Sequence, residues 1–394
     1  MNRRRFLSTA SAAGLSTGLA AAADGEKKRR VAVIGHTGRG NYGHGLDKVW
    51  LALPEARIVG VADADEQGLA KARKRLGTDG GFRDYRRMLA ETTPEFVSVC
   101  PRHADQHAEM VLAAIEAGVK GIYAEKPFCR TPEEADRILA AGEKHGAKIA
   151  VAHRNRYHPA LPTVRKLVAD GAIGRVLEMR GRGKGDRRGG GEDLWVLGCH
   201  IFNLMCYFGG APQSCSALLR QDGRPVTKDD VQPGAEGLGP LAGDEVHARY
   251  AFAQGTVGHY FSLANDDTGG RGYCLQIVGS KGVVRLGIDR DPLAHVMEGN
   301  PFDPAAGARE WVPITSAGIG KPEPHPEKVA QVGNHVRAVR DLMAAVDEDR
   351  DPLCSGRDGA TTVEMICAVF ASHREGGKAV AIPLQERGNA LEKL

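Results

Sequence analysis

The chain has 394 residues, of which 42% are apolar and 26% charged, and a formal net charge of +4. That length exceeds what one hydrophobic core usually serves, so two domains are expected, and the composition excludes disordered and fibrous classes. Several positive charges sit in Arg3-Arg4-Arg5 and Lys27-Lys28-Arg29-Arg30, which leaves the body near neutral. With no basic stripe on a folded face, nucleic acid is not an expected partner.

Residues 1–28 read as a targeting segment and linker. Arg3-Arg4-Arg5-Phe6-Leu7 leads into a mildly apolar run of Ala, Ser and Gly ending at Ala21 to Ala23, too short and too polar for a membrane span. The arrangement resembles a twin-arginine signal. The resemblance implies passage through the twin-arginine export machinery as a folded, cofactor-loaded protein and a periplasmic or extracytoplasmic location. An uncleaved segment would leave the protein tethered, and a disordered basic tail is the alternative reading. The eight cysteines form no CxxC pair and no metal-ligand spacing; they read as small buried apolar residues, and no metal is expected.

From Val31 the pattern is strand, turn and helix in alternation, the signature of a doubly wound parallel sheet over 29–155. The expected strands are Val31–Ile34, Arg57–Ala62, Phe96–Cys100, Gly121–Ala124 and Lys148–Ala152. Helices are expected at Gln106–Ala117 and Thr131–His145, the latter opened by Thr131 as cap, Pro132 at the first helical position and two acids. Residues 156–394 change character. Alternating strands at Val176–Arg180, Val246–Tyr250, Val257–Phe261 and Cys274–Val278 point to a largely antiparallel open sheet in an α+β substrate domain. Helices are expected at Pro159–Ala169, Trp195–Tyr207 and Val332–Val346, and a long loop at Gln221–Gly243.

Gly35-His36-Thr37-Gly38-Arg39-Gly40 follows the first strand and is read as opening a helix, the context in which a glycine-rich turn cradles a pyrophosphate. Gly35, Thr37, Gly38, Arg39 and Gly40 are therefore candidate cofactor residues, although Thr37 stands where the second glycine of the strict fingerprint would be. Asp63, at the end of the second strand, is placed to bond ribose hydroxyls, which favours NAD over NADP.

Cys100-Pro101, His107, Glu116-Ala117-Gly118 and Glu125-Lys126-Pro127 resemble the glucose-fructose oxidoreductase, inositol dehydrogenase and MocA family, over nearly the whole chain from Val31 to Pro383. The resemblance implies that Cys100, Pro101, His107, Glu125 and Lys126 border the cofactor, that Lys126 touches the reacting hydroxyl, and that Pro127 makes a cis or tight turn. A second family hallmark is a helix bearing an acid, a glycine and a catalytic histidine, then another acid. Gly189-Gly190-Gly191, Gly198 and His200 match it, but Val196 and Asn203 stand where the acids belong. Glu192 or Asp193 could substitute. His200 is expected as general base with a pKa near working pH, and Arg156, Tyr157, Asp193 and Asn203 as substrate-binding groups. Arg180 to Arg188 form a polar cluster, read as a substrate cleft or as a solvated loop. The implied function is NAD(P)-dependent oxidation or reduction of a sugar or polyol, with tightly held cofactor recycled in place in a homo-oligomer. Two alternatives stand beside it: a glycosidase or lyase working through transient oxidation, and a non-catalytic nucleotide- and sugar-binding protein.

Overall fold

The computed structural model describes residues 28–304 and 307–394; the arginine-rich leader lies outside them. Six parallel strands form the first sheet in the order β3-β2-β1-β4-β5-β6. They are β1 (Arg29–Ile34), β2 (Ala56–Ala62), β3 (Gly81–Phe82), β4 (Phe96–Val99), β5 (Gly121–Ala124) and β6 (Lys148–Val151). The central strands are continuous apolar runs because both their faces are covered; Val31 to Ile34 are wholly buried. One layer contains α2 (Tyr85–Thr92), α3 (His107–Glu116) and α4 (Pro132–His145). Thr131 caps α4 by accepting from the Glu134 amide at 3.2 Å, as its position before Pro132 predicts. Helix α1 (Glu66–Leu76) lies on the other layer and had no reading from the sequence.

The helix expected after the glycine-rich turn is absent. Residues 42–48 form turns, followed by a short 3-10 turn at Val49–Ala52. Gly43 and Gly45 adopt φ of 57° and 93°, left-handed values that break a helix.

The second sheet has eleven strands. It is antiparallel except where β7 (Val176–Arg182) runs parallel to Val257–Leu263. Its inner face packs on a helix that starts at Gly191 and runs to Gly209, and on the helix Gly356–Arg374. The latter escaped the sequence reading because thirteen of its residues are buried all round its circumference, which erases the 3.6-residue stripe. Its start was nonetheless written in the chain: Ser355 and Asp358 form a reciprocal capping box. The 221–243 loop carries Glu236, which pairs with Arg102 of the first domain at 3.7 Å. The helix Val336–Asp347 crosses back to pack on β5 and β6.

Within the first domain Trp50 donates its indole N–H to Ser98 Oγ at 2.7 Å, with both groups buried. Ser98→Ala would orphan that donor. The expected loss is about 1–3 kcal/mol of unfolding free energy in urea denaturation.

Candidate functional site

Strand β5 ends directly in Glu125-Lys126-Pro127, and the Lys126–Pro127 peptide is cis. Glu125 is fully buried. One carboxylate oxygen accepts from the Lys126 amide at 2.8 Å, and the other from the His44 amide and ring at 3.2 and 2.9 Å. Gly43 lies so close that a Cβ there would sit 2.3 Å from Glu125 Oε2. Burial pushes this carboxyl up, but its bonds to His44 and the charges of His44 and Lys126 prevail and hold it down at about 2. The glycine-rich loop and the strand end are thereby fastened to each other.

Lys126 donates its ammonium to the main-chain oxygen of Val196 at 2.8 Å. That carbonyl is available because residues Leu194–Gly198 form a π-helical turn, a widening common at functional positions. The neighbouring Leu197 carbonyl accepts from Tyr273 Oη at 2.8 Å. Gly198 is required by crowding, since a Cβ there would meet Tyr260 Oη at 2.8 Å. A backbone carbonyl thus meets the lysine at the position where the sequence lacks an acidic side chain.

His200 is buried one turn beyond Val196. Its Nδ1 lies 3.4 Å from Nδ1 of His153, with the rings perpendicular. Neutral imidazoles make such a contact by one nitrogen donating to the other. Burial, followed by the charge of Lys126, pushes both histidines down, His153 to about 3 and His200 well below its usual range. The expectation of a near-neutral pKa for His200 is therefore corrected: desolvation beside a cation keeps it an uncharged proton acceptor throughout the working pH range. Ligand atoms of His153, Cys199 and His200 lie within 4.8 Å of one another, close enough for a metal ion. Burial pushes the Cys199 thiol up to about 12, and the adjacent ammonium opposes a further cation, so the chemistry favours three neutral side chains.

The nucleotide end is built on Asp63, which is buried. It accepts from the Thr37 amide and hydroxyl, the Tyr42 hydroxyl and the Asp65 amide at 2.6–3.2 Å. Tyr42, missed in the sequence, packs against Gly35 and beneath the Arg75 guanidinium. Beside Asp63 a cavity of about 450 Å³ is walled by Gly35, His36, Ala62, Tyr85 and Arg86. The size and position, at the carboxyl ends of β1 and β2, fit an adenosine moiety. Gly38 donates to Asn41, and Arg39 pairs with Asp105. Gly40 touches the backbone of Arg102, which presses the turn against the Cys100-Pro101 segment. These residues fit a dinucleotide, with loop amides rather than a regular helix start facing the phosphates.

Other expected site residues have structural roles. His107 is wholly buried, with its ring nitrogens 2.7 Å from the Pro127 carbonyl and 2.6 Å from that of Pro101, so both ring nitrogens are taken up between two loops. Cys100 is buried, and its carbonyl lies against Gly43. Asp193 is fully buried; its Oδ2 accepts from Ser262, Tyr260 and the Lys184 amide and so anchors the helix start, while its Oδ1 has no hydrogen-bond partner among the described residues. Asn203 is buried and donates to Cys354 Sγ at 3.6 Å. Arg156 bonds the Leu353 carbonyl and stacks on Tyr207, and Tyr157 is buried beside it; both line a separate cavity. Within the 180–188 cluster, Arg182 pairs with Asp266 and Arg188 with Asp186, as a self-compensated loop does.

Two family profiles match the chain. Residues 29–153 match the GFO_IDH_MocA oxidoreductase family, NAD-binding Rossmann fold. Residues 165–382 match that family's C-terminal alpha/beta domain. Levoglucosan dehydrogenase of Pseudarthrobacter phenanthrenivorans is 28% identical over 61% of this chain and 66% of its own length. D-apiose dehydrogenase of Paraburkholderia graminis is 26% identical over 83% and 84%. Among solved structures, levoglucosan dehydrogenase in complex with NADH and levoglucosan superposes with a TM-score of 0.70 at 24% identity, covering 90% of this chain and 100% of that one. An oxidoreductase domain protein from Kribbella flavida gives 0.70 at 25% identity, covering 91% and 100%.

Because Glu125 titrates lower when folded than the ordinary value of about 4.3, its stabilising contribution is complete above that value and fades as pH falls toward 2. Between about pH 5 and about pH 3, unfolding free energy should fall more steeply in the wild type than in Glu125→Gln. Metal analysis of the purified protein should find no stoichiometric zinc, and His153→Gln should leave that result unchanged.

Proposed function

This chain belongs to the Gfo/Idh/MocA oxidoreductase family, and on that premise we propose that it oxidises or reduces a secondary hydroxyl of a sugar, polyol or sugar derivative. Bound NAD supplies the hydride acceptor or donor. The cavity beside Asp63 holds the adenosine end, and the loop 35–40 faces the phosphates. Lys126, held at the end of β5, donates to the substrate oxygen and stabilises developing alkoxide charge. His200 takes the hydroxyl proton at Nε2, since its Nδ1 faces His153. A second positive charge beside Lys126 is costly in isolation. An alkoxide lying between the two groups offsets that cost, so proton transfer is favoured when substrate is in place.

The observation that carries this reading is the bond from Lys126 Nζ to the Val196 carbonyl on the helix that bears His200. It keeps a lysine and a histidine in one cleft without the family acid. The sugar dehydrogenases among the relatives support the substrate class. The leader, with its paired arginines, supports export with NAD retained and regenerated within each cycle. The outer face of the eleven-stranded sheet, where Leu218, His247 and Phe261 border a broad hollow, supports a second copy of the chain as its cover.

Denaturing the purified protein and analysing the released nucleotide by mass and absorbance should recover about one NAD per chain. Lys126→Met should lower turnover with a responsive sugar by about 10²–10³ while leaving nucleotide content intact. Protein that neither carries nor takes up nucleotide would overturn the proposal. Release of an aglycone without net change in NADH would move the assignment to oxidation, elimination and re-reduction of a glycoside.

A further inference from the structure

A second cavity, of about 570 Å³, opens where the helix Cys199–Gly209 ends. Tyr207 in its wall is seven residues beyond His200, about 10 Å along the helix axis, which separates it from the hydroxyl-transfer site. Four cations line it, Arg156, Arg165, Lys328 and Arg337, against a single carboxylate, Asp358. That carboxylate is already shared between Arg156, at 3.6 Å, and the Ser355 cap. Arg337 donates to the Tyr157 carbonyl at 2.8 Å. Among the described residues neither Arg165, Lys328 nor Arg337 meets a carboxylate within ion-pair distance.

Two further features mark the cavity as built to receive something. The guanidinium carbons of Arg156 and Arg165 lie 4.5 and 4.7 Å from the centre of the Tyr207 ring. The shared ring holds both planar forks in place, and pre-positioned guanidinium groups are the preferred receptors for carboxylate and phosphate oxygens. Tyr157 and His158 also belong to the cavity wall, and His158 Nε2 is a buried polar atom without a hydrogen-bond partner. An unpaired buried polar atom is costly, and like charges gathered in one concavity repel unless an anion lies among them.

We propose that this cavity is a binding site for a small multivalent oxyanion, a phosphate ester or a polycarboxylate, separate from the nucleotide and hydroxyl sites. Arg165 and Lys328 supply the charge, Arg156 is held on Tyr207 to bond the oxygens, and the volume suits a metabolite-sized molecule.

The test is calorimetric titration of the intact protein, saturated with NADH so that added anions cannot enter the nucleotide site, using inorganic pyrophosphate and citrate in separate runs. At least one should bind saturably with a dissociation constant below about 1 mM and more weakly as salt is raised. Arg165→Glu combined with Lys328→Glu should weaken that binding by about tenfold or more, while Lys144→Glu, remote on α4, leaves it unchanged. Binding of pyrophosphate alone assigns a phosphate ester and of citrate alone a polycarboxylate; binding of both supports the shared oxyanion class. An unchanged melting temperature without ligand shows that the double variant keeps its fold. Absence of saturable binding by either anion, or equal binding by the double variant and the wild type, overturns the proposal.

Discussion

Burying the Glu125 carboxylate obliges the chain to bring donors to it, and that obligation organises the site. Its two oxygens draw in the His44 amide and ring from one side and the Lys126 amide from the other. The close approach is possible only because residue 43 has no side chain. The same geometry that satisfies the carboxylate sets the lysine at the mouth of the cleft and closes the glycine-rich loop over the end of β5. His107 repeats the device one layer deeper, joining the Pro101 and Pro127 carbonyls. Two buried polar groups thus hold together segments that are far apart in sequence.

The cation of Lys126 then governs the chemistry of its neighbours. In a dry environment its field and the loss of water both oppose protonation of His153 and His200. The imidazoles are kept neutral and in mutual contact, and the Val196 carbonyl provides the lysine with a dipole where a full negative charge would be expected. A carbonyl lowers the lysine's electrostatic energy less than a carboxylate does. More of the ammonium's field therefore remains for charge developing on a bound oxygen.

Much of this was legible in the chain. The apolar runs of β1, β4, β5 and β6 marked the parallel sheet, the Thr131-Pro132 cap fixed the start of α4, and the Glu-Lys-Pro tripeptide pointed to Lys126. What escaped depended on contacts across long sequence separations. Asp193 read as a cleft residue from its helical spacing to His200 and Asn203 from its place in the family pattern, yet Asp193 Oδ2 turns to Ser262 and the Asn203 amide to Cys354. His153 carried no local signal at all, because only the meeting of β6 with the site helix brings it to His200. The π turn at Leu194–Gly198 is equally silent in sequence, apart from Gly198, whose missing side chain admits Tyr260.

The return of the helix Val336–Asp347 to the first sheet has a consequence for the order in which the molecule is made. Val336, Val339 and Leu342 share a core with Val31, Val33 and Trp50. Tyr123 on β5 meets His335 at 2.6 Å, and Arg29 at the start of β1 pairs with Asp347. The part of this face over β5 and β6 therefore stays uncovered while the intervening residues leave the ribosome, although α1 and Trp50 already lie on the same layer. A growing chain carries all six strands long before it has the helix that covers β5 and β6. A truncated product lacking its last sixty residues loses that entire helix and the Tyr123–His335 link, and is open to proteolysis where the sheet is left uncovered.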